Sequence, residues 1–278
     1  MSHEREIGAV KKIPKIALLI LMACGAISFD SLFSYQDQES GLSVVLDKIV
    51  ARMDAHVKNE NWIVAVSSTI SRMDKNWNPQ KVTAVQRKAI VTNGETVNEI
   101  IRAMETEKGM TRDITEKYRK ETNERNARHI KEREERRLKG KNDERGGHDE
   151  LRLTEEDFLP FSTKNRPKYD FYFLPEAILD GQAVYAVAAK PKTKQEIDFE
   201  GNFYVSKDTF EILRAEITPS KKPRFVKELK IVVDFMVLPG GHFVLKKSWA
   251  RVYGGFFIKH IRMIAEEVYS DYQISGMQ

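Results

Sequence analysis

The sequence predicts a mainly β fold with α, in which an antiparallel sheet is packed by one N-terminal helix and interrupted by a charged helical insertion. Three observations predict it. From Tyr169 to Tyr272 the chain is a series of short alternating segments broken by turn residues, with no helix-length run. Leu42 to Val57 places Leu42, Val45, Leu46, Ile49, Val50, Met53 and Val57 on one helical stripe, with Asp47, Lys48, Arg52 and Asp54 opposite. Asn93-Gly94 stands between two further strand-like runs, 82–91 and 96–104, and a type I′ turn needs the positive φ that this pair tolerates.

The strand pattern is clearest in 225–237, where Phe225, Leu229, Ile231, Val233, Phe235 and Val237 share one parity and Glu228, Lys230 and Asp234 the other, as a sheet with one buried face requires. Pro239-Gly240-Gly241 turns the chain into 242–253, so these two runs are expected to pair as an antiparallel hairpin. Further strands are expected at 62–73, 169–174, 182–189, 202–206, 209–217 and 259–272, and their short connections favour a meander. The helix stripe has to pack on something, and the sheet is the available surface. Between the strand groups, 112–139 sets Glu116 before Lys120, Glu121 before Arg125 and Glu132 before Arg136. This i, i+4 order supports a helix that is solvated nearly all round. Gly140 to Gly147 reads as its flexible return, so 108–150 is expected to be an insertion into a domain spanning 42–274, followed by a tail at 275–278.

At the N-terminus, Arg5, Lys11, Lys12 and Lys15 precede an apolar run from Ile16 to Met22, the layout of a bacterial-type export signal over residues 1–29, with 30–41 as a linker. Cys24, the one cysteine of the chain, ends that run in Leu21-Met22-Ala23-Cys24, which resembles a lipoprotein lipobox. Three outcomes stay open: lipidation at Cys24, cleavage without a lipid near Ala26 or Ser28, and retention as an anchor. One cysteine allows no disulfide within the chain.

The net charge is +5, but 112–145 holds thirteen basic and nine acidic residues and the first fifteen residues add +2, which leaves −1 for the rest. A nearly neutral body has no broad phosphate-binding footprint, so nucleic acid is not expected as the partner. The six histidines are scattered, without a His-Glu-x-x-His pair, a G-x-S-x-G elbow or a phosphate-binding glycine loop. Adjacent Glu266 and Glu267 point to opposite faces of a strand, which is unsuited to paired acid–base work. No catalytic residue, metal site or cofactor is therefore expected.

Gly181-Gln182-Ala183-Val184-Tyr185, then Lys190-Pro191-Lys192, then Gly201-Asn202-Phe203-Tyr204-Val205 and Asp208-Thr209-Phe210-Glu211-Ile212 resemble the central strands of the outer-membrane lipoprotein-sorting family, the LolA, LolB and RseB-like fold. The resemblance lies in strand rhythm and turn residues over 42–272. It implies a curved half-barrel whose apolar concave face holds acyl chains, in an exported, periplasmic protein of the cell envelope that handles lipid or lipoprotein without catalysis. A sensor or scaffold that binds a protein through the same fold is the alternative. Each ligand CH₂ buried contributes about 0.8 kcal/mol, so lipid can be held without polar machinery. Lipid-binding candidates are Trp62, Phe171, Phe173, Phe203, Phe210, Phe235 and Trp249. The charged arm at 112–145 is a candidate contact for an envelope partner, and the N-terminal lipid or anchor for a membrane.

Overall fold

The computed structural model describes residues 41–56, 61–92, 95–138, 159–193, 198–222, 224–256 and 259–274. The expected signal region, Cys24, the Asn93-Gly94 turn, the return at 140–147 and the tail lie outside them. The chain divides into two compact units, Met1–Val45 and Leu46–Gln278; only the opening turn of α1 is described in the first.

Helix α1 covers residues 41–54 and buries Leu46 and Ile49, the centre of the predicted stripe. Its last turn tightens, with the amides of Ala55 and His56 donating to Arg52 and Met53. The strands follow as β1 (Trp62–Met73), β2 (Pro79–Thr92), β3 (Glu95–Glu107) and β4 (Met110–Asp113), then helix α2 (Thr115–Leu138). After a 3₁₀ turn at Arg166–Lys168 come β5 (Tyr169–Phe173), β6 (Ala177–Leu179), β7 (Gln182–Pro191), β8 (Phe199–Ser206), β9 (Ile212–Pro219), β10 (Val226–Leu238), β11 (His242–Phe256) and β12 (Lys259–Ile274).

All twelve strands form one open, curved antiparallel sheet in the order β4-β3-β2-β1-β12-β11-β10-β9-β8-β7-β5, with β6 beside β7. The protein is a half-barrel with helices, as the sequence predicts. Two meanders, β1 to β4 and β7 to β12, are joined where the last strand returns to the first, with Val66 opposite Tyr269 and Ile70 opposite Ala265. Two elements differ from expectation. Lys108-Gly109, both at positive φ, turns the chain into the short edge strand β4, so the insertion begins with a strand and its helix starts at Thr115. Strand β6 lies in a segment where the sequence shows no alternation. The hairpin expected after β10 is present, with Leu238 opposite His242 across Pro239-Gly240-Gly241.

Register sets apolar residues on one face at both ends of the sheet, with a polar stretch between them. Across the C-terminal strands Phe173, Val187, Phe203, Ala215 and Val233 occupy one cross-strand row, and the same row continues through Ser248, Glu267 and Ser68 to Val85 and Ala103. The opposite face carries a ladder of ion pairs: Arg214 with Asp234 at 2.5 Å, Lys230 with Glu216 at 3.0 Å, Lys247 with Glu266 at 3.1 Å and Arg251 with Glu228 at 3.2 Å. Such exposed pairs contribute little to stability, but they keep that face in water and fix which face is the inner one. Glu266 and Glu267 do point to opposite faces, the first to Lys247 and the second to Arg87.

Candidate apolar groove on the inner face

The C-terminal half of the inner face is built around aromatic rings. Phe161, fully buried with Leu159, inserts from the segment before β5 and meets Phe203 edge-on at 5.0 Å and Phe171 at 5.4 Å. Such pairs add about 0.5–1.5 kcal/mol each beyond the area they bury. Gly201, in the row beside them, approaches β9 so closely that a Cβ would stand 2.0 Å from the Glu216 carbonyl oxygen, so only glycine lets these strands close up.

Helix α1 is fastened to this half by charge as well as by its stripe. Glu211, buried just before β9, accepts from Arg52 and lies 2.7 Å from His56 Nε2; Arg166 reaches Asp47 at 2.5 Å. The His56 ring stacks on Phe243 at 4.7 Å, and Phe243 stacks on Phe235 at 4.9 Å. Burial pushes the Glu211 carboxyl up, but hydrogen bonds from His56 and Arg52 outweigh it and hold the pKa below the ordinary carboxylate value.

Where α1 passes the start of β5 it leaves an apolar groove of about 480 Å³, lined by Val50, Thr163, Arg166, Pro167, Tyr169 and Phe171. That volume lies within the range of small-ligand sites. Arg166, Thr163 and the edge of Tyr169 are its polar elements; burial raises the Tyr169 hydroxyl to about 12. The chemistry on offer is apolar contact with one cation at the rim. Among the described residues no group of three or more metal-ligating side chains comes together.

The seven aromatic candidates are divided by the structure. Phe171 lines the groove, and Phe203 stands behind it through Phe161. Phe235 lies in the stack under His56, while Phe173 and Phe210 flank Tyr185 at 6.0 Å each. Phe210, at positive φ in the turn before β9, sits under the Lys48 ammonium. Trp62 is remote, packed with Tyr272 against Val64, Val66 and Ala89. Trp249 is on the ion-pair face, opposite Glu266. The cause is a bulge at Lys246: Asp234 pairs with Lys247 but Phe235 with Leu245, so the parity of β11 reverses between Leu245 and Trp249. Val50 is legible in sequence only as part of the helix stripe, and Phe161 and Tyr169 are not among the seven candidates. Tyr169 shares Phe171's parity, which is the one signal that points to it; Phe161 sits in no periodic segment.

The N-terminal half of the inner face is different. Its buried apolar residues are aliphatic, Val85, Ile100 and Ala103 packed by Ile114 and Tyr118 at the start of α2, and Val64, Val66 and Ala89 packed by the half-buried rings of Trp62, Tyr269 and Tyr272. Between them lies a polar group in which Glu267 accepts from Arg87, Ser68 and Tyr269 at 2.7–2.8 Å, and Arg87 also donates to Ser68. Burial raises the Glu267 carboxyl, and the Arg87 charge with these hydrogen bonds more than reverses it.

No protein-family model matches the chain, nor does any curated relative. Solved structures are similar to it in fold. A DUF1329 family protein from Desulfovibrio piger is 14% identical with a TM-score of 0.38, over 85% of this chain and 94% of that one. An outer-membrane lipoprotein-sorting protein domain from Vibrio parahaemolyticus is 9% identical with a TM-score of 0.37, over 84% and 93%. The MucA/MucB complex from Pseudomonas aeruginosa gives 8% identity and a TM-score of 0.24, over 84% and 98%. These likenesses transfer no residue role and no ligand to this chain.

Proposed function

We propose that this chain is an exported envelope protein that binds a lipid or lipoprotein acyl chain, without catalysis, in the groove between α1 and β5. The observation that carries the reading is the groove itself: about 480 Å³ of mostly apolar lining, opening beside the ring cluster of Phe161, Phe171 and Phe203. An apolar chain gains about 0.8 kcal/mol for each CH₂ removed from water there, while the donors of Arg166 not used on Asp47 suit a carboxylate or phosphate head at the rim. Phe171 is assigned direct contact, with Phe203 and Phe235 as the packed floor that keeps the rings in place. The basic and apolar N-terminal segment around Cys24 supports export, with lipidation as its strongest form.

Lipid extraction and mass spectrometry of the purified protein test the reading. Acyl species should accompany the wild type and be lost from Thr163→Trp, which fills the groove from an exposed position without disturbing the core. A protein that carries no acyl species and instead captures an envelope protein through the sheet would replace this reading with the sensor or scaffold one.

A further inference from the structure

One end of the sheet has a composition that the groove does not explain. The strand ends and turns at 220–228 and 251–262 carry a single carboxylate, Glu228, whereas their described side chains include Lys221, Lys222, Arg224, Lys227, Arg251 and Arg262. Aromatic rings interleave with these cations. Arg262 stands over Tyr253 at 4.6 Å with Lys227 over the same ring at 5.4 Å, Arg224 over Phe225 at 4.9 Å, and Arg251 over Trp77 of the β1–β2 turn at 3.8 Å.

The apolar part of this surface is held outward. Phe225 is 46% exposed, and Ile261, two strands away at the same end of the sheet and on the inner-face parity, is 43% exposed. Phe225 has φ 71°, a left-handed conformation that costs a bulky residue, yet its carbonyl is fixed by the Gly255 amide at 2.9 Å. A Cβ on Gly254 would come within 2.5 Å of that same oxygen, so the seat depends on glycine. A backbone held in this way to present a phenyl ring among cations is a built surface.

We propose that this end of the sheet docks on an anionic lipid bilayer, with Phe225 and Ile261 entering the headgroup boundary and the cations around them meeting lipid phosphates. Charge complementarity selects that occupant: the six cations outnumber Glu228, which pairs with Arg251, and Asp74 of the β1–β2 turn, which feels the Arg262 charge; that excess favours a negatively charged plane, and aromatic rings with a polar surround settle at the water–lipid boundary. Docking here is independent of acyl binding in the groove. It would bring the protein to the surface from which an acyl chain is taken or to which it is given.

Co-sedimentation of the purified full-length protein with vesicles tests this. Vesicles of phosphatidylcholine alone are compared with vesicles containing about one third phosphatidylglycerol, at salt of about 0.05 M and about 0.5 M. The wild type should bind the anionic vesicles at least about tenfold better, and lose that preference at high salt. Arg224→Glu with Lys227→Glu should abolish the preference, and Phe225→Ser should weaken binding while leaving the salt dependence. The matched charge change at the far end, Lys207→Glu with Lys246→Glu, should leave it in place. Equal binding to both vesicles, wild-type binding by a folded Arg224→Glu/Lys227→Glu protein, or an equal loss in the far-end pair would each overturn the proposal. Acyl content of the same samples reads the groove separately.

Discussion

The two halves of this sheet share one register and one inner face, yet they solve burial differently. On the C-terminal side the cross-strand row from Phe173 to Val233 is wholly apolar, and rings from Phe161 and from His56, just after α1, complete it. Farther along, where β11 and β12 meet β1 and β2, the same row passes through Ser248, Glu267 and Ser68, and Arg87 closes a polar group beside Tyr269. A half-buried charge network demands that every partner keep its place, since loss of one leaves the other uncompensated. Rings demand only shape, and they can line a groove. The groove between α1 and β5 lies on the ring-built side.

Four changes break or sharpen this contrast. Phe203→Ala, which empties the centre of the ring cluster, should cost about 3–5 kcal/mol in urea unfolding; a loss under about 1 kcal/mol would mean the rings are not the core of that half. Glu267→Ala should cost about 3 kcal/mol by stranding Arg87, whereas the double change Glu267→Leu with Arg87→Met should recover most of it. A double mutant as unstable as the single one would show that packing, not charge, holds that region.

Glu211→Gln should cost about 1.5–3 kcal/mol near neutral pH, because Arg52 and His56 lose a charged acceptor. Its pH dependence follows from sign. The folded Glu211 pKa lies below the ordinary value of 4.5, so its stabilisation is present above that value and fades as pH falls through the depressed one. The midpoint of the wild type should therefore fall more steeply on acidification than that of Glu211→Gln, and parallel curves would remove Glu211 from the fastening of α1. Smallest of all, Lys120→Ala on the exposed face of α2, where its partner Glu124 is 4.0 Å away, should change stability by no more than about 0.5 kcal/mol.

Much of the fold was legible because period and turn chemistry are local. The α1 stripe, the Pro239-Gly240-Gly241 hairpin and the alternation around Val233 and Phe235 all appear where the sequence places them. What parity could not carry was an unmarked bulge. A single extra residue at Lys246 sets Trp249 on the charged face while leaving Phe243 and Leu245 inside. A second irregularity, between Val226 and Glu228, takes Phe225 out of the buried series to which its parity assigned it. The groove was less legible still. Phe161 comes from a segment with no period, and Val50 meets Tyr169 and Phe171 only because α1 crosses the start of β5. Contacts of that kind are set by tertiary packing, which no short window of sequence contains.

The most direct test of the central claim is a titration of the purified protein with pyrene-labelled hexadecanoate, read by fluorescence, in wild type and in Thr163→Trp. Saturable binding by the wild type at one probe per chain, weakened at least about tenfold when the groove is filled, is the predicted result. Absence of binding, or equal binding by a folded Thr163→Trp protein, would contradict the assignment of the groove between α1 and β5 as an acyl site.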